Sequence, residues 1–564
     1  MTVKEKYSQW ISRLSPEDPM FQELQKAADD PAEIEDRFYC DLIFGTAGLR
    51  GKCGAGTNRM NRLTVARATQ GIANFLKISG KPLSRGVVIA YDCRHFSKEF
   101  AVLTTEILTG NGCSVYLFPE LRPTPELSFT LRRLHAVAGI NLTASHNPKE
   151  YNGYKVYWED GAQISGEVSV GIQRQISALS IWDRPSQCSW KEAEKAGLLH
   201  ILGAEDDRAY LNYVEAQSLR TSEELDLSIP IVYTPLNGAG SIPVQTVFSE
   251  MHYTNFHIVP EQKDPDPNFT TVGYPNPEDP RAFAYSERLG KLCHAELLIA
   301  TDPDSDRMAV EVIDQRGNYQ FLNGNQTGGL LLYYLAKSKT EKGTMPSRPA
   351  MVKSIVTGDF GRAICRTYGI AVFEALTGFK NICGRIPELQ NKGYSYFFGY
   401  EESIGCAPSD CVRDKDGITA ALLIAEMAAW YRKKGLTLLE ALHSLYQEYG
   451  WFAEQQTSII REGEEGANEI RNIMQALRQN LPKTKTIGSF TVRQVIDYQN
   501  GYQDIPASNV LKYLLEGDTW FAVRPSGTEP KLKFYFYTCQ KTEEEAEQTI
   551  QTLSRQVLND VNQI

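Results

Sequence analysis

The chain has 564 residues, 42% hydrophobic and 23% charged, with 59 Lys and Arg against 69 Asp and Glu and a net charge of -10. That length is too great for a single core and calls for roughly three to five domains of about 100 to 200 residues each. The acidic balance argues against a general binder of nucleic acid or anionic membrane and leaves room only for a local basic pocket.

Eleven cysteines, an odd number with no CxxC pair, read as the reduced thiols of a cytoplasmic protein. The first segment, MTVKEKYSQWISRL, is a charged amphipathic helix without the continuous apolar core of a signal peptide. From about residue 86 to 158, apolar runs alternate with helix-like segments: GVVIAY, SKEFAVLTTEILTG, CSVYLF, ELSFTLRRL, AVAGINL and YKVYW. Gly110, Asn111 and Gly112 supply a left-handed stop between the first of these helices and the next strand. The alternation predicts α/β layers around a parallel or mixed sheet.

The pattern restarts near residue 206 with DRAYLNYVEAQSL, IPIVYTPL, a helix through VQTVFSEM, a short FHIVP, a further helix and LLIATDPDSDRMAVEVI. The loop KDPDPNFTTVGYPNPEDP (263–280), rich in Pro, Asp and Asn, reads as a surface excursion. A third cycle runs from QTGGLLLYYLAK and MVKSIV to YFFGYEES and a helix over 418–433. The apolar part of that helix, TAALLIAEMAAWY, is interrupted by Glu426 and is too short to span a bilayer. After Gly450 the texture changes to a strand, polar helix-like segments, the hairpin WFAVRPSGTEPKLKFYFY and a charged amphipathic final helix. The expected domains are 1–205, 206–315, 316–450 and 451–564: three α/β mixed-sheet domains and a C-terminal α+β domain with an antiparallel sheet.

Each expected domain carries one constellation. In the first, TASHNP (143–148) sets Ser145 in a loop directly after a strand, which suits either a plain turn or a covalently modified hydroxyl. A hydrolase elbow is excluded, because Ser145 lacks the flanking glycines of GxSxG. In the second, Asp302, Asp304 and Asp306 alternate after the apolar run LLIA and precede Arg307. In an extended backbone three such carboxylates converge on one hard cation, and oxygen-only donors favour Mg²⁺ over zinc. The EF-hand alternative fails, since Arg307 stands where Gly is needed and Ile313 where a bidentate Glu is needed. In the third, GYEESIG (399–405) offers paired carboxylates and a hydroxyl that suit either a charged loop or a grip on vicinal sugar hydroxyls, with Lys380 of TGFK nearby. In the fourth, RPSGTEPK (524–531) sits at a hairpin tip, where Arg, hydroxyls and exposed amides make either a turn or an anion cradle. GTAGLRGK is not a Walker A motif, because Thr46 stands where the first Gly is required.

Together, and in this order, these motifs resemble those of the α-D-phosphohexomutase superfamily, and within it the phosphoglucomutase branch, over nearly the whole span from FGTAGLRG to Lys531. The resemblance implies four domains around a central cleft, and interconversion of glucose 1-phosphate and glucose 6-phosphate through a phosphoserine and a glucose 1,6-bisphosphate intermediate. It implies that Ser145 is the phosphorylated serine and that Ser145, Asp302, Asp304 and Asp306 hold one Mg²⁺ per site. Lys155 and Arg307 flank the transferring phosphoryl group, Arg50 lies near the active site, and His146 and Lys380 are candidates for proton transfer or orientation. Glu401 and Ser403, with Thr377 and Gly378, bind the sugar, and Arg524, Ser526, Gly527 and Thr528 cradle the phosphate that is not reacting. Glucose 1,6-bisphosphate is the implied activator, and sugar phosphates, not nucleic acid or membrane, are the implied partners. Tyr400, where many members have Gly, is shared with a branch that also holds phosphopentomutases and sugar-bisphosphate synthases. Phosphopentomutase, phosphomannomutase and glucose-1,6-bisphosphate synthase therefore remain alternatives, as does a catalytically silent relative, which the intact Ser145, Asp triad, Lys155 and Arg307 argue against. The oligomeric state is not legible.

Overall fold

The computed structural model describes residues 1–45, 48–461, 463–480, 485–526 and 531–563. Gly527 and Thr528 of the expected phosphate cradle lie outside the described residues.

Among the described residues the strands assemble into four sheets. In the first, Val87–Tyr91 pairs in parallel with Ala138–Leu142 and Val115–Leu117, whereas Tyr151–Trp158 runs antiparallel to both Ala138–Leu142 and Gly48–Lys52. In the second, Ile231–Thr234 pairs in parallel with Leu297–Thr301, which is followed by the antiparallel Met308–Ile313. The third centres on Pro349–Ser354, parallel to Ala371–Ala375 and Ser395–Glu401. The fourth is antiparallel throughout, with Thr519–Pro525 and Lys531–Gln540 forming the expected hairpin.

The central runs VVIAY and LLIAT are buried at every position, as strands covered by helices on both faces must be. The helix Gly417–Arg432 is apolar on nearly all sides and buried along its length, so it packs in the interior and not on a surface. Its Glu426 is accommodated by partners: Tyr334 Oη donates to it at 2.7 Å and the Leu219 amide at 2.8 Å. One continuous apolar core runs from Tyr210 to Tyr537 and joins the second and third sheets to part of the fourth. The first sheet has its own core, and the opening helix Val3–Arg13 sends Trp10 into a smaller cluster with Phe38. The loops carrying chemistry follow strand C-termini, where ligands of open α/β sheets collect. No helix among the described residues is long and apolar enough to cross a membrane, and all eleven cysteines are free.

Candidate active site

Ser145 follows the buried strand Ala138–Leu142 and sits in the left-handed region at φ 54°. A residue with a side chain keeps that conformation only where its surroundings impose it. Here the Ser145 amide donates to Thr143 Oγ1 at 2.8 Å, and Thr143 Oγ1 donates to Asp92 Oδ2 at 2.6 Å. Arg94, 3% exposed, donates to the carbonyls of Ser145, Asn147, Pro148 and Tyr151 at 2.5, 2.6, 2.9 and 3.1 Å. Asp92 lies 3.2 Å from its Nε, and the Phe269 ring faces the guanidinium at 5.0 Å. Thus fixed, Ser145 Oγ donates to Asp302 Oδ2 at 2.5 Å and lies 3.2 Å from His146 Nδ1. Burial, with Arg307 and Arg50 close by, holds the His146 imidazole well below its ordinary range, which favours the neutral ring and weakens it as a base.

The geometry of the aspartate triad corrects one step of the sequence reasoning. The three aspartates converge because the chain turns between the antiparallel strands Leu297–Thr301 and Met308–Ile313, with Ser305 at φ 55°, not because the backbone is extended. One oxygen from each of Asp302, Asp304 and Asp306 lies within 4.8 Å of the others, and all three residues are buried. Asp304 Oδ1 and Asp306 Oδ1 have no hydrogen-bond partner among the described residues. Buried carboxylate oxygens left bare are costly, and an all-oxygen set of this kind fits a hard divalent cation such as Mg²⁺. The electrostatics agree: burial, and then repulsion from Asp304 and Asp306, push the Asp302 carboxyl well above its ordinary range.

Cations close around the triad. Lys155, on the strand Tyr151–Trp158, donates to Asp304 Oδ2 at 2.6 Å and Asp306 Oδ2 at 3.3 Å. Burial opposes its charge, but these two carboxylates outweigh burial and hold the ammonium above its ordinary range. The Arg307 amide donates to Asp302 Oδ1 at 3.0 Å and its Nη1 to Glu278 Oε2 at 3.2 Å, while its buried Nε has no partner among the described residues. Arg50 is exposed and reaches Asn147 Oδ1 at 3.2 Å.

Several contributors escaped the sequence reading. Lys415 Nζ lies 3.0 Å from Asp306 Oδ2 and 3.3 Å from Asp414 Oδ1. Thr124 binds the metal loop twice, its Oγ1 donating to Asp304 Oδ2 at 2.6 Å and its amide to the Asp304 carbonyl at 2.8 Å. Glu278 and Phe269 come from the 263–280 loop, which is not the plain surface excursion its composition suggested. Phe269 is fully buried against Arg94.

Glu401 ends the strand Ser395–Glu401, and its Oε1 accepts the Gly378 amide, which brings Thr377 and Gly378 to the same spot. Burial and the neighbouring Glu402 raise the Glu401 carboxyl to about 7, against the pull of Lys415 and Arg307. Those cations tie this loop to the metal loop. Ser403 is half-buried in the turn after Glu401, and Lys380 is half-buried on the helix Phe379–Gly384. Tyr400, by strand alternation, points the other way and is fully buried, so it lines the core and not the cleft. Arg524 stands on the strand Thr519–Pro525 opposite Lys533, and the Ser526 amide donates to the Lys531 carbonyl at 2.7 Å. Burial and Arg524 lower the Lys533 ammonium, while the charges of Glu278 and Glu402 pull the other way.

Four family signatures match the chain. They are Phosphoglucomutase/phosphomannomutase, alpha/beta/alpha domain I over 41–180, domain II over 208–317, domain III over 323–449, and the C-terminal domain over 469–553. The phosphoglucomutase of Staphylococcus haemolyticus is 37% identical, across 89% of this chain and 91% of that protein. The phosphoglucomutase of Staphylococcus epidermidis is 39% identical, across 89% of this chain and 92% of that protein. Among solved structures, the open form of the Paramecium phosphoprotein pp63/parafusin, a phosphoglucomutase, superposes with a TM-score of 0.71 at 18% identity, covering 93% of this chain and 96% of that one.

Proposed function

The chain belongs to the phosphoglucomutase/phosphomannomutase family, and on that premise we propose that it interconverts glucose 1-phosphate and glucose 6-phosphate. The observation that carries this reading is the 2.5 Å contact between Ser145 Oγ and Asp302 Oδ2, which sets one hydroxyl against a buried carboxylate triad. Phosphorylated Ser145 donates its phosphoryl group to the free hydroxyl of the sugar monophosphate, giving the bisphosphate, and Ser145 Oγ then takes back the phosphoryl group from the other end, so the isomer leaves and the phosphoserine is restored. A phosphorylated Ser145 carries a charge of about -2 beside three carboxylates, so positive charge around it is an electrostatic requirement. Lys155, Arg307 and Lys415 supply it from the protein, in a buried setting where fixed charges act strongly on a developing phosphoryl charge. A divalent ion held by Asp302, Asp304, Asp306 and the Ser145 phosphoryl group would add neutralisation of the phosphoryl oxygens.

His146, 3.2 Å from Ser145 Oγ, is the group for proton transfer or orientation on the serine side; Lys380 serves the sugar side, and Arg50 holds the Ser145 loop through Asn147. Glu401 and Ser403, with Thr377 and Gly378, grip the sugar hydroxyls, and the Arg524 hairpin receives the distal phosphate. Because the intermediate has to present either end, the grip is on the middle of the sugar and the cradle accepts whichever phosphate is remote. Glucose 1,6-bisphosphate serves as activator by maintaining the phosphoserine, and the free thiols fit a cytoplasmic setting. We divide the chain into domains 1–205, 206–315, 316–450 and 451–564 accordingly. The test is Ser145→Ala in a coupled assay with glucose 1-phosphate. Turnover is expected to fall by several orders of magnitude with the thermal transition unchanged, and near-normal turnover would remove the assignment.

A further inference from the structure

The strand Ala138–Leu142 is buried at every position, and Asn141 is its one polar residue. A buried amide in such a strand is costly without a partner. Among the described residues the Asn141 side chain makes a single hydrogen bond, Nδ2 donating to Thr124 Oγ1 at 2.7 Å. Asn141 stands directly opposite Lys155 on the neighbouring antiparallel strand, so both side chains leave the sheet on one face. That face meets the metal loop. Lys155 Nζ donates to Asp304 Oδ2 at 2.6 Å, and Thr124 Oγ1 donates to the same oxygen at 2.6 Å.

Thr124 has one hydroxyl proton, and the direction of each bond around it follows from that count. An amide nitrogen only donates, so Thr124 Oγ1 accepts from Asn141 and its own proton goes to Asp304. The backbone fixes the same pair: Thr124 begins the helix Thr124–Arg133, whose first amides lack an intrahelical acceptor, and its amide donates to the Asp304 carbonyl at 2.8 Å. Asp304 Oδ2 is thus filled by two donors from the first domain, whereas Oδ1 has no hydrogen-bond partner among the described residues. Two donors on one oxygen hold the carboxyl plane and leave the other oxygen open.

We propose that Asn141 and Thr124 are positioning residues: the amide aims the Thr124 hydroxyl, and the hydroxyl, together with Lys155, holds Asp304 so that Oδ1 is presented to a divalent cation. This rests on the reading of the aspartate triad as a cation site. The test is calorimetric titration of the full chain with Mn²⁺, without sugar phosphate, in wild type, Thr124→Val, Thr124→Ser and Asn141→Leu, with the thermal transition of each recorded. Valine keeps the volume and removes the hydroxyl; serine keeps the hydroxyl. Thr124→Val is expected to bind Mn²⁺ about tenfold or more weakly than wild type, as loss of a ligand-orienting partner does. Thr124→Ser is expected to stay close to wild type, and Asn141→Leu, whose Thr124 hydroxyl is present but no longer aimed, to fall between wild type and Thr124→Val. A merely structural role would shift the thermal transitions and leave the affinity of the folded protein alone. Asn141→Leu or Thr124→Val binding as tightly as wild type, or a loss in Thr124→Ser as large as in Thr124→Val, would overturn the proposal and leave the triad's assignment standing. Wild type that binds no Mn²⁺ would overturn both.

Discussion

Removing the Arg94 guanidinium would strip four carbonyls of the Ser145 loop of a donor and leave Asp92 buried without its charge partner. Breaking a buried pair in this way costs about 3–5 kcal/mol, and a reactive group displaced by about 1 Å loses about 10²-fold in rate. Arg94→Ala is therefore expected to lower the urea midpoint and to cut kcat far more than it raises KM. Arg94→Lys, which keeps the charge but not the fork, should restore stability in part and kcat little; wild-type kcat in a destabilised Arg94→Ala protein would reduce Arg94 to a structural role. Glu401 gives a second prediction. With its carboxyl raised to about 7 by burial and Glu402, it is protonated below that pH and loses an acceptor for sugar hydroxyls. Glucose 1-phosphate should bind more weakly as pH falls from about 8 to about 6, beyond the change due to the substrate's own phosphate. Glu401→Gln fixes that second contribution, so an identical pH profile in the variant would contradict the role. That Ser145, the triad, Lys155 and Arg307 come together was legible in the sequence because each motif is local. Thr124 was not, since it meets Asp304 across 180 positions, and nothing near Lys415 announces Asp306. Arg94 left a faint signal: it stands just past the fully buried strand Val87–Tyr91, a usual address for site residues.

The elements themselves were readable wherever burial left one pattern. The runs VVIAY and LLIAT could only be covered strands, and the alternation of strands with helices gave the three mixed sheets and the antiparallel fourth. What periodicity could not give was the turn between Asp302 and Arg307, which needs Ser305 in the left-handed region, or the burial of Phe269 within a 263–280 loop that otherwise lies largely at the surface as its Pro and Asp content suggested. Tyr400 shows the same limit. Strand alternation sends it into the core, where the helices Gly324–Glu341 and Phe360–Tyr368 meet it with glycines. A Cβ on Gly328 would sit 2.2 Å from Tyr400 Cδ2, and one on Gly361 2.5 Å from its Oη. Gly328→Ala is accordingly expected to destabilise the protein by about 1–3 kcal/mol through overpacking, read from the urea midpoint at constant m-value. A neutral result would mean that the ring is free to move aside.

At the scale of the whole molecule, the metal loop is the point where domains meet. Thr124 and Lys155 reach Asp304 from the first domain, and Lys415 reaches Asp306 from the third, so the reactive centre exists only when those domains are assembled around the second. The fourth domain joins the third through the shared apolar core and through polar contacts such as Lys512 Nζ to the Ile355 carbonyl at 2.7 Å and Trp520 Nε1 to Asp359. Turnover at such an assembly requires that Ser145 carry the phosphoryl group. Incubating the protein with glucose 1,6-bisphosphate labelled in both phosphates, in the presence of Mg²⁺, then digesting it and locating the label by mass spectrometry, asks this directly. The prediction is one phosphoryl group per chain on Ser145, discharged by added glucose 1-phosphate and not formed when divalent cation is chelated. Label on another residue, or mutase turnover with Ser145 unmodified throughout, would contradict it.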